Sequence, residues 1–304
     1  MTTRDGRKLY AMVLPGPGEG PSPDEAAEDA PTVVFEAGAA TTRSSWALVQ
    51  PLVGKWARAV VYDRAGLGRS PADPGPRTLR RMADDLEDLL DHFGPGPFVL
   101  VGHSAGGPIV RLAAAGRREQ VPDEAHAQIR GLVLVDPTDE GVDLLFRPGF
   151  RRAERAVIAV NLLLARLGLL GRLYAPLAAG LPDDARRDLR SEGFTVGLVR
   201  TQRAQARTFL DEVAAFRTTP PDLKSLPVTV ISGKLAGGGM NAATRAAVNA
   251  AHARSAAAAS PGKHVIAERS GHYVPLTDPD VIAEEIRLLA TGTAAEPRPW
   301  GPRP

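Results

Sequence analysis

The sequence has no cysteine. Disulfides, a thiolate nucleophile and thiolate metal sites are therefore excluded, and the redox state of the compartment goes unmarked. Neither sign of charge prevails, with 37 Lys and Arg against 35 Asp and Glu, so no basic field implies a nucleic-acid partner. Long hydrophobic runs are also missing. The longest apolar stretch, residues 155–173, is interrupted by Asn161, Arg166 and Arg172, and is too short and too polar to span a bilayer. Residues 1–10 are polar and charged, without the apolar core of a signal sequence. There is no internal repeat, metal-ligand cluster, phosphate loop or dinucleotide fingerprint, so no cofactor and no metal is expected. These absences lead to the expectation of a soluble, cytoplasmic protein with a small-molecule partner. Its oligomeric state is not legible.

What is present is an ordinary globular composition, 43% hydrophobic and 24% charged over 304 residues, long enough for one large domain with an inserted subdomain. Short β-branched runs recur at Thr32–Glu36 (TVVFE), Ala59–Tyr62 (AVVY), 98–101 (FVLV), 132–135 (LVLV), 228–231 (VTVI) and 264–267 (HVIA). Continuous apolar runs bounded by Gly, Pro or Asp suit strands covered on both faces. Helical patterns such as 78–93 and 279–289 lie between them, and the alternation predicts a mostly parallel sheet with helices on both faces. It breaks once. From 139 to 221 only helical stretches occur, at 153–170, 183–190 and 195–216. The expected organisation is an α/β core over 1–138 and 222–292, a helical cap at 139–221, a loop or disordered insertion at 15–31, and a Pro-rich tail at 293–304.

The run 98–101 leads directly into Gly102-His103-Ser104-Ala105-Gly106, then Gly107 and a helix from about Pro108. A Gly-x-Ser-x-Gly motif alone is weak, but strand, tight turn and helix around it are what a nucleophile elbow requires. Such a turn exposes the Ser104 Oγ at the carboxyl end of its strand. Gly102 and Gly106 flank it where a Cβ would strike the neighbouring strand or helix, and the positive end of the following helix faces developing negative charge. His103 adjoins Ser104 in the turn and is expected to pack rather than act as the base.

With these residues in view, the chain from 32 to 289 resembles the α/β-hydrolase superfamily. The turn Tyr62-Asp63-Arg64-Ala65-Gly66-Leu67-Gly68-Arg69-Ser70 is similar to that family's Asp-Arg-x-Gly-x-Gly-x-Ser, in which Asp63 and Arg64 are expected to organise the turn. The resemblance implies an α/β-hydrolase fold with a helical cap, and an oxyanion hole built from the backbone N–H groups of Ala105 and Ala39. At the second of these the family's His-Gly pair is replaced by Ala37-Gly38, and a backbone donor can still serve. Ser270-Gly271-His272, ahead of the last helix, is similar to the family's catalytic histidine loop, making His272 the expected base. His92, His126, His252 and His264 are expected to be solvated.

The acid is where the pattern departs. After 228–231 most family members carry an Asp, but here the chain reads Ser232-Gly233-Lys234-Leu235-Ala236-Gly237-Gly238-Gly239, without a carboxylate. A variation known in the superfamily moves the acid one strand earlier, which designates Asp136, with Asp139 and Glu140 as alternatives. Ser, Asp and His then keep their chain order. A Ser nucleophile argues against epoxide and haloalkane chemistry, which uses a carboxylate at the elbow. The resemblance thus implies a carboxylesterase-like hydrolase of an ester, lactone or related acyl bond, acting through an acyl-enzyme on a substrate with an apolar moiety. A lyase or carbon–carbon hydrolase on the same Ser-His scaffold, or a non-catalytic binding protein, stays open.

The first cap helix carries Val157, Ile158, Val160, Leu162, Leu163, Leu164, Leu167, Leu169 and Leu170, more than one apolar face. The surplus either packs within the cap, roofs the cleft above Ser104 through residues such as Leu163 and Leu167, or meets a membrane surface beside Arg151, Arg152 and Arg155.

Overall fold

The Val- and Ile-rich runs pair side by side, as their two-sided burial requires. In a computed structural model describing residues 1–17, 31–120 and 129–292, β2 (Thr32–Glu36), β3 (Ala59–Tyr62), β4 (Phe98–His103), β5 (Ile129–Val135), β6 (Val228–Gly233) and β7 (Gly262–Ala267) are mutually parallel. Most of the insertion expected at 15–31 and all of the tail at 293–304 lie outside the described residues. A further strand, β1 (Ala11–Leu14), runs antiparallel along β3 and gives the order β1-β3-β2-β4-β5-β6-β7. Sequence reasoning did not foresee β1. Four residues on a sheet edge, half-exposed, leave almost no periodic signal.

Period-2 alternation sorts the strand residues into two layers. Val34, Val60, Leu100, Leu132 and Val230 join one core, and Val33, Phe35, Val61, Val99, Val101, Val133 and Ile231 the other. The longer helices are α1 (Leu79–Phe93), α2 (Gly106–Gln120), α3 (Pro148–Arg166), α4 (Ala242–Ala258) and α5 (Pro279–Thr291). The first layer is covered by α1 and α2. Helix α1 presents Leu79, Met82, Ala83, Leu86, Leu89 and Leu90 at helical spacing, and starts where the Thr78 hydroxyl accepts the Arg81 N–H at 3.2 Å. The second layer packs on Trp46, Val49 and α5.

The chain order places a crevice. From β2 it passes outward to β3, then returns to β4 on the other flank of β2. The loops leaving β2 and β4 therefore part at their carboxyl ends, where ligands bind in open α/β sheets. The β4 turn also sits very close to its surroundings. A Cβ on Gly102 would lie 2.6 Å from the Gly106 carbonyl oxygen, and one on Gly106 would lie 2.5 Å from that of Glu36. Glycine at these places lets the turn, α2 and β2 meet.

Between β5 and β6 the described chain is helical throughout its regular elements: a short turn at Asp143–Phe146, then α3, Leu170–Leu173, Ala175–Ala178, Asp183–Glu192, Val196–Gln205 and Phe209–Ala215. The helix expected over 195–216 is two helices, interrupted at 206–208. Ile158 and Leu162 of α3 pack with Leu170, Leu198, Val199 and the core residue Leu67. Leu163 and Leu167 do not roof the cleft; they are 55% and 61% exposed, because they sit on the side of α3 opposite Ile158 and Leu162.

The glycine contacts lead to a stability contrast. Gly106→Ala should lower the unfolding free energy by about 1–3 kcal/mol through overpacking. Gly149→Ala, near the α3 start with open space around it, should be neutral or stabilising by about 0.5 kcal/mol. Urea midpoints of the two variants check this, and equal midpoints would show that the elbow yields without cost.

Candidate active site

Ser104 leaves β4 with φ +53°, a conformation costing a non-glycine residue about 1–3 kcal/mol. The surroundings enforce it. The Ser104 N–H donates to the Val135 carbonyl at 3.0 Å, and its own carbonyl accepts from Gly107 at 3.0 Å and Thr138 at 2.9 Å. The turn is thus fastened to the end of β5. Among the described residues nothing hydrogen-bonds the Ser104 Oγ, and Ser104 lines a cavity of about 290 Å³.

His272 lines the same cavity. Its loop, after β7, is held by Asp278, which is buried and accepts from the Arg269 N–H at 3.0 Å and the Ser270 hydroxyl at 2.6 Å. The His272 carbonyl accepts from His103 Nε2–H at 2.9 Å. A carbonyl cannot donate, so His103 carries its proton on Nε2. Burial first, and the nearby His272 second, push His103 down to about 4, so it stays neutral at physiological pH. His103 packs, as expected, and also positions the loop of the candidate base.

The remaining nitrogen of interest, His272 Nδ1, lies 2.7 Å from Asp136 Oδ2. That contact orients the ring and leaves Nε2 as the nitrogen able to accept a proton. Asp136 ends β5 at φ +40° and is buried. Burial alone would push its pKa up, but the His272 hydrogen bond and the Arg245 guanidinium outweigh burial and hold it below the usual carboxylate range. The alternatives are committed elsewhere. Asp139 accepts from the Gly141 N–H and the Ser255 hydroxyl at 2.7 and 2.6 Å, and Glu140 forms a two-point pair with Arg111 at 2.6 and 2.7 Å.

The loop after β2 is held from below. Arg64, buried, donates to the carbonyls of Ala37 and Gly38, the latter at 2.6 Å, and pairs with buried Glu36. In a trans peptide the C=O and the following N–H point in opposite directions. Clamping the Gly38 carbonyl to Arg64 therefore turns the Ala39 N–H away from Arg64, on a segment where Gly38, Ala39 and Ala40 line the cavity. Ala105 is buried between Ser104 and the start of α2. Asp63 organises its turn, as expected, by accepting from the Arg43 and Arg69 N–H groups at 2.8 and 3.1 Å.

Most of the cavity's other lining comes from the helical insertion: Asn161, Leu170, Tyr174, Leu177, Phe194, Leu198 and Val199, with Leu276 beyond the histidine loop. Tyr174 stacks on Phe194 with ring centroids 6.2 Å apart.

Two features escaped sequence reasoning. Arg245 on α4 contacts Asp136 across 109 positions of sequence, and nothing local distinguishes it from other arginines. His252 is not solvated as expected, and His264 is only half-buried. His252 is fully buried and its Nε2–H donates to the Pro137 carbonyl at 2.9 Å. Its Nδ1 must then accept from the Ser232 hydroxyl at 2.7 Å, whose oxygen in turn accepts from His264 Nε2–H at 2.8 Å. This relay of fixed direction braces the residue after Asp136. His126 lies outside the described residues.

Comparison with known proteins agrees with the fold. The family described as "Alpha/beta hydrolase family" matches residues 33–285. An AB hydrolase superfamily protein of Gibberella zeae is 39% identical over 114 residues, 36% of this chain and 33% of the relative. Lipase LipV of Mycobacterium tuberculosis is 44% identical over 75 residues, 25% of each. The matches thus span a third or less of these relatives. Among solved structures, the epoxide hydrolase CorEH superposes with a TM-score of 0.68 at 16% identity, covering 95% of this chain and 97% of the other.

The hydrogen-bond pattern separates the three carboxylates. Asp136→Asn should cut kcat for the protein's best substrate by about three to four orders of magnitude, while Asp139→Asn and Glu140→Gln should cost less than tenfold. Steady-state kinetics of the three variants check the ranking, and a larger loss in Asp139→Asn would move the acid there.

Proposed function

The chain belongs to the alpha/beta hydrolase family, and we propose that it is a serine hydrolase cleaving a carboxylic ester or related acyl bond. The observation that carries this reading is the Asp136–His272 hydrogen bond of 2.7 Å, which delivers an oriented imidazole to the cavity lined by Ser104. Ser104 Oγ attacks the acyl carbon while His272 Nε2 takes its proton. The tetrahedral oxyanion is received by the Ala39 and Ala105 N–H groups, a kind of contact worth about 3–4 kcal/mol per donor in the transition state. His272 then protonates the leaving alcohol, and water repeats the sequence on the acyl-enzyme. Asp136 stays ionised throughout and stabilises the imidazolium. The Ser104–His272 hydrogen bond closes when substrate fills the site, as is common for sites that are loose when empty.

The helical insertion acts as the cap and sets specificity. Its contribution to the lining is mainly apolar, which favours an acyl or alcohol group with a hydrocarbon part. Serine rather than a carboxylate at the elbow disfavours epoxide opening through an ester intermediate, the chemistry in the name of the CorEH neighbour. Among the described residues no helix is long and apolar enough to cross a membrane.

A fluorophosphonate probe should label the wild type and not Ser104→Ala, and the substitution should reduce ester turnover by several orders of magnitude. Over p-nitrophenyl esters, kcat/KM should rise with acyl length, each buried methylene contributing about 0.8 kcal/mol until the cavity is full. Leu177→Asp should flatten that rise. An unlabelled wild type, or ester turnover that survives in Ser104→Ala, would overturn the assignment; cleavage of cyanohydrins or diketones in place of esters would redirect it.

A further inference from the structure

The Asp136 carboxylate has four donors, which is about as many as its lone pairs can serve. Gly233 N–H and Arg245 Nη1 reach Oδ1 at 3.2 and 2.6 Å, and Arg245 Nη2 and His272 Nδ1 reach Oδ2 at 3.1 and 2.7 Å. Resting on the reading of Asp136 as catalytic acid, we propose that Arg245 is a positioning residue that fixes the plane of this carboxylate and sets the pH range over which His272 works.

A guanidinium gripping both oxygens fixes a carboxylate in plane as well as in place, which a single contact cannot do. That constraint matters here because the Asp136 backbone, at φ +40° just past β5, is fixed through its N–H to the Ile231 carbonyl at 2.7 Å, which leaves the rotation of the carboxylate still to be set. Arg245 is itself buried, and its Nη1 also reaches Asn249 Oδ1 at 3.4 Å. The second consequence is electrostatic. Arginine keeps its charge at every working pH, so the imidazolium formed during turnover shares its counter-ion with a permanent cation. The other ionisable groups in ring or charge contact with Asp136 and His272 among the described residues are His103 and His252, both held neutral by burial, and Tyr273, whose ring lies 5.5 Å from that of His272 and which burial pushes up. Asp139, next to the relay, is engaged by Ser255. Among the described residues Asp136 is the one carboxylate paired with Arg245.

Arg245→Met, kept folded as judged by circular dichroism, should move the acid limb of kcat/KM to higher pH by about half a unit or more and lower kcat at the plateau. Arg245→Lys keeps the charge without the fork, so it should retain the wild-type limb with a reduced kcat. An unmoved limb in folded Arg245→Met would overturn the proposal. If that variant does not fold, wild-type kcat in Arg245→Lys would overturn it instead. Fluorophosphonate labelling of Ser104 in the wild type reports separately on the underlying triad.

The outer face of α3 supports an independent inference. Val157, Val160, Leu163 and Leu167 follow one another at helical spacing and are each more than half exposed, and Leu169 and Leu173 extend the stripe. Between Arg155 and Pro182 the sequence has no acidic residue, while exposed Arg155, Arg166 and Arg172 edge the stripe. Among the described residues Arg166 and Arg172 form no ion pair. Of Arg151, Arg152 and Arg155 at the helix start, Arg151 is paired with Asp211. We infer that this face docks on an anionic lipid surface. An apolar stripe edged by arginine suits the boundary between headgroups and acyl chains. A second copy joined through the same stripe would set arginine against arginine with no acid inside the segment to compensate. Leu170 and Tyr174, next to Leu169 and Leu173 in sequence, line the substrate cavity.

Sedimentation of the full chain with phosphatidylcholine vesicles, with and without phosphatidylglycerol, tests this. Binding should require the anionic lipid, weaken in 0.5 M salt, and fall about tenfold or more in Leu163→Glu and Leu167→Glu, with p-nitrophenyl acetate turnover unchanged. No sedimentation, or binding indifferent to these substitutions, would overturn it. So would a dimer seen by light scattering that the same substitutions dissolve.

Discussion

The buried Asp136 carboxylate joins three parts of the chain that are remote in sequence: the end of β5, the loop after β7 and helix α4. A buried charge is tolerated only when its lone pairs are occupied, and here each donor comes from an element that must already be in place. The sheet brings the Gly233 N–H alongside, α4 supplies Arg245, and the Asp278-anchored loop supplies His272. The arrangement of the candidate site is therefore a consequence of completed packing, and local disturbance of any of the three elements would be felt at the imidazole.

A second buried charge works in the same way beneath the loop after β2. Arg64 lies between Glu36 and the carbonyls of Ala37 and Gly38. Burial pushes Glu36 up, while Arg64 and Tyr62 pull it down. The effect is to hold a peptide group in one orientation at the crevice where the β2 and β4 loops part. Two buried ion pairs thus flank Ser104, one beside the proposed base His272 and the other beneath the loop that carries the proposed donor Ala39. Electrostatic stabilisation of a transition state needs dipoles fixed before the reaction, and such fixing is what these pairs would supply to the proposed mechanism.

The helical insertion is organised by different physics. Its inner side, with Ile158, Leu162 and Leu198, is held by apolar burial against Leu67, whereas Arg43 of the core bridges to Asp188 and Glu192 on its rim. Apolar contact sets where the insertion sits, and the charged contacts fix its register over the cavity. Its lining is correspondingly adaptable, with Leu, Tyr and Phe side chains in place of a rigid polar frame.

What could be read from the sequence was what depends on neighbours in sequence. The six parallel strands, the elbow around Ser104 and the loop of His272 all rest on periodicity or on short motifs whose backbone geometry is local. The choice among Asp136, Asp139 and Glu140 was not of that kind. Three carboxylates within five residues are alike until the turn after β5 and the positions of Arg245, Ser255 and Arg111 give each its partner. Helix α3 shows the same division. Its composition marks it as apolar on more than one face, but periodicity carries no information about which face meets the core, so packing, a roof over the cleft and a surface contact are equally legible for Leu163 and Leu167, which lie in solvent. Local sequence determined the elements and the chemistry each can carry. Only the tertiary structure decided which charged groups meet, because the partners of a buried charge are chosen by distance in space.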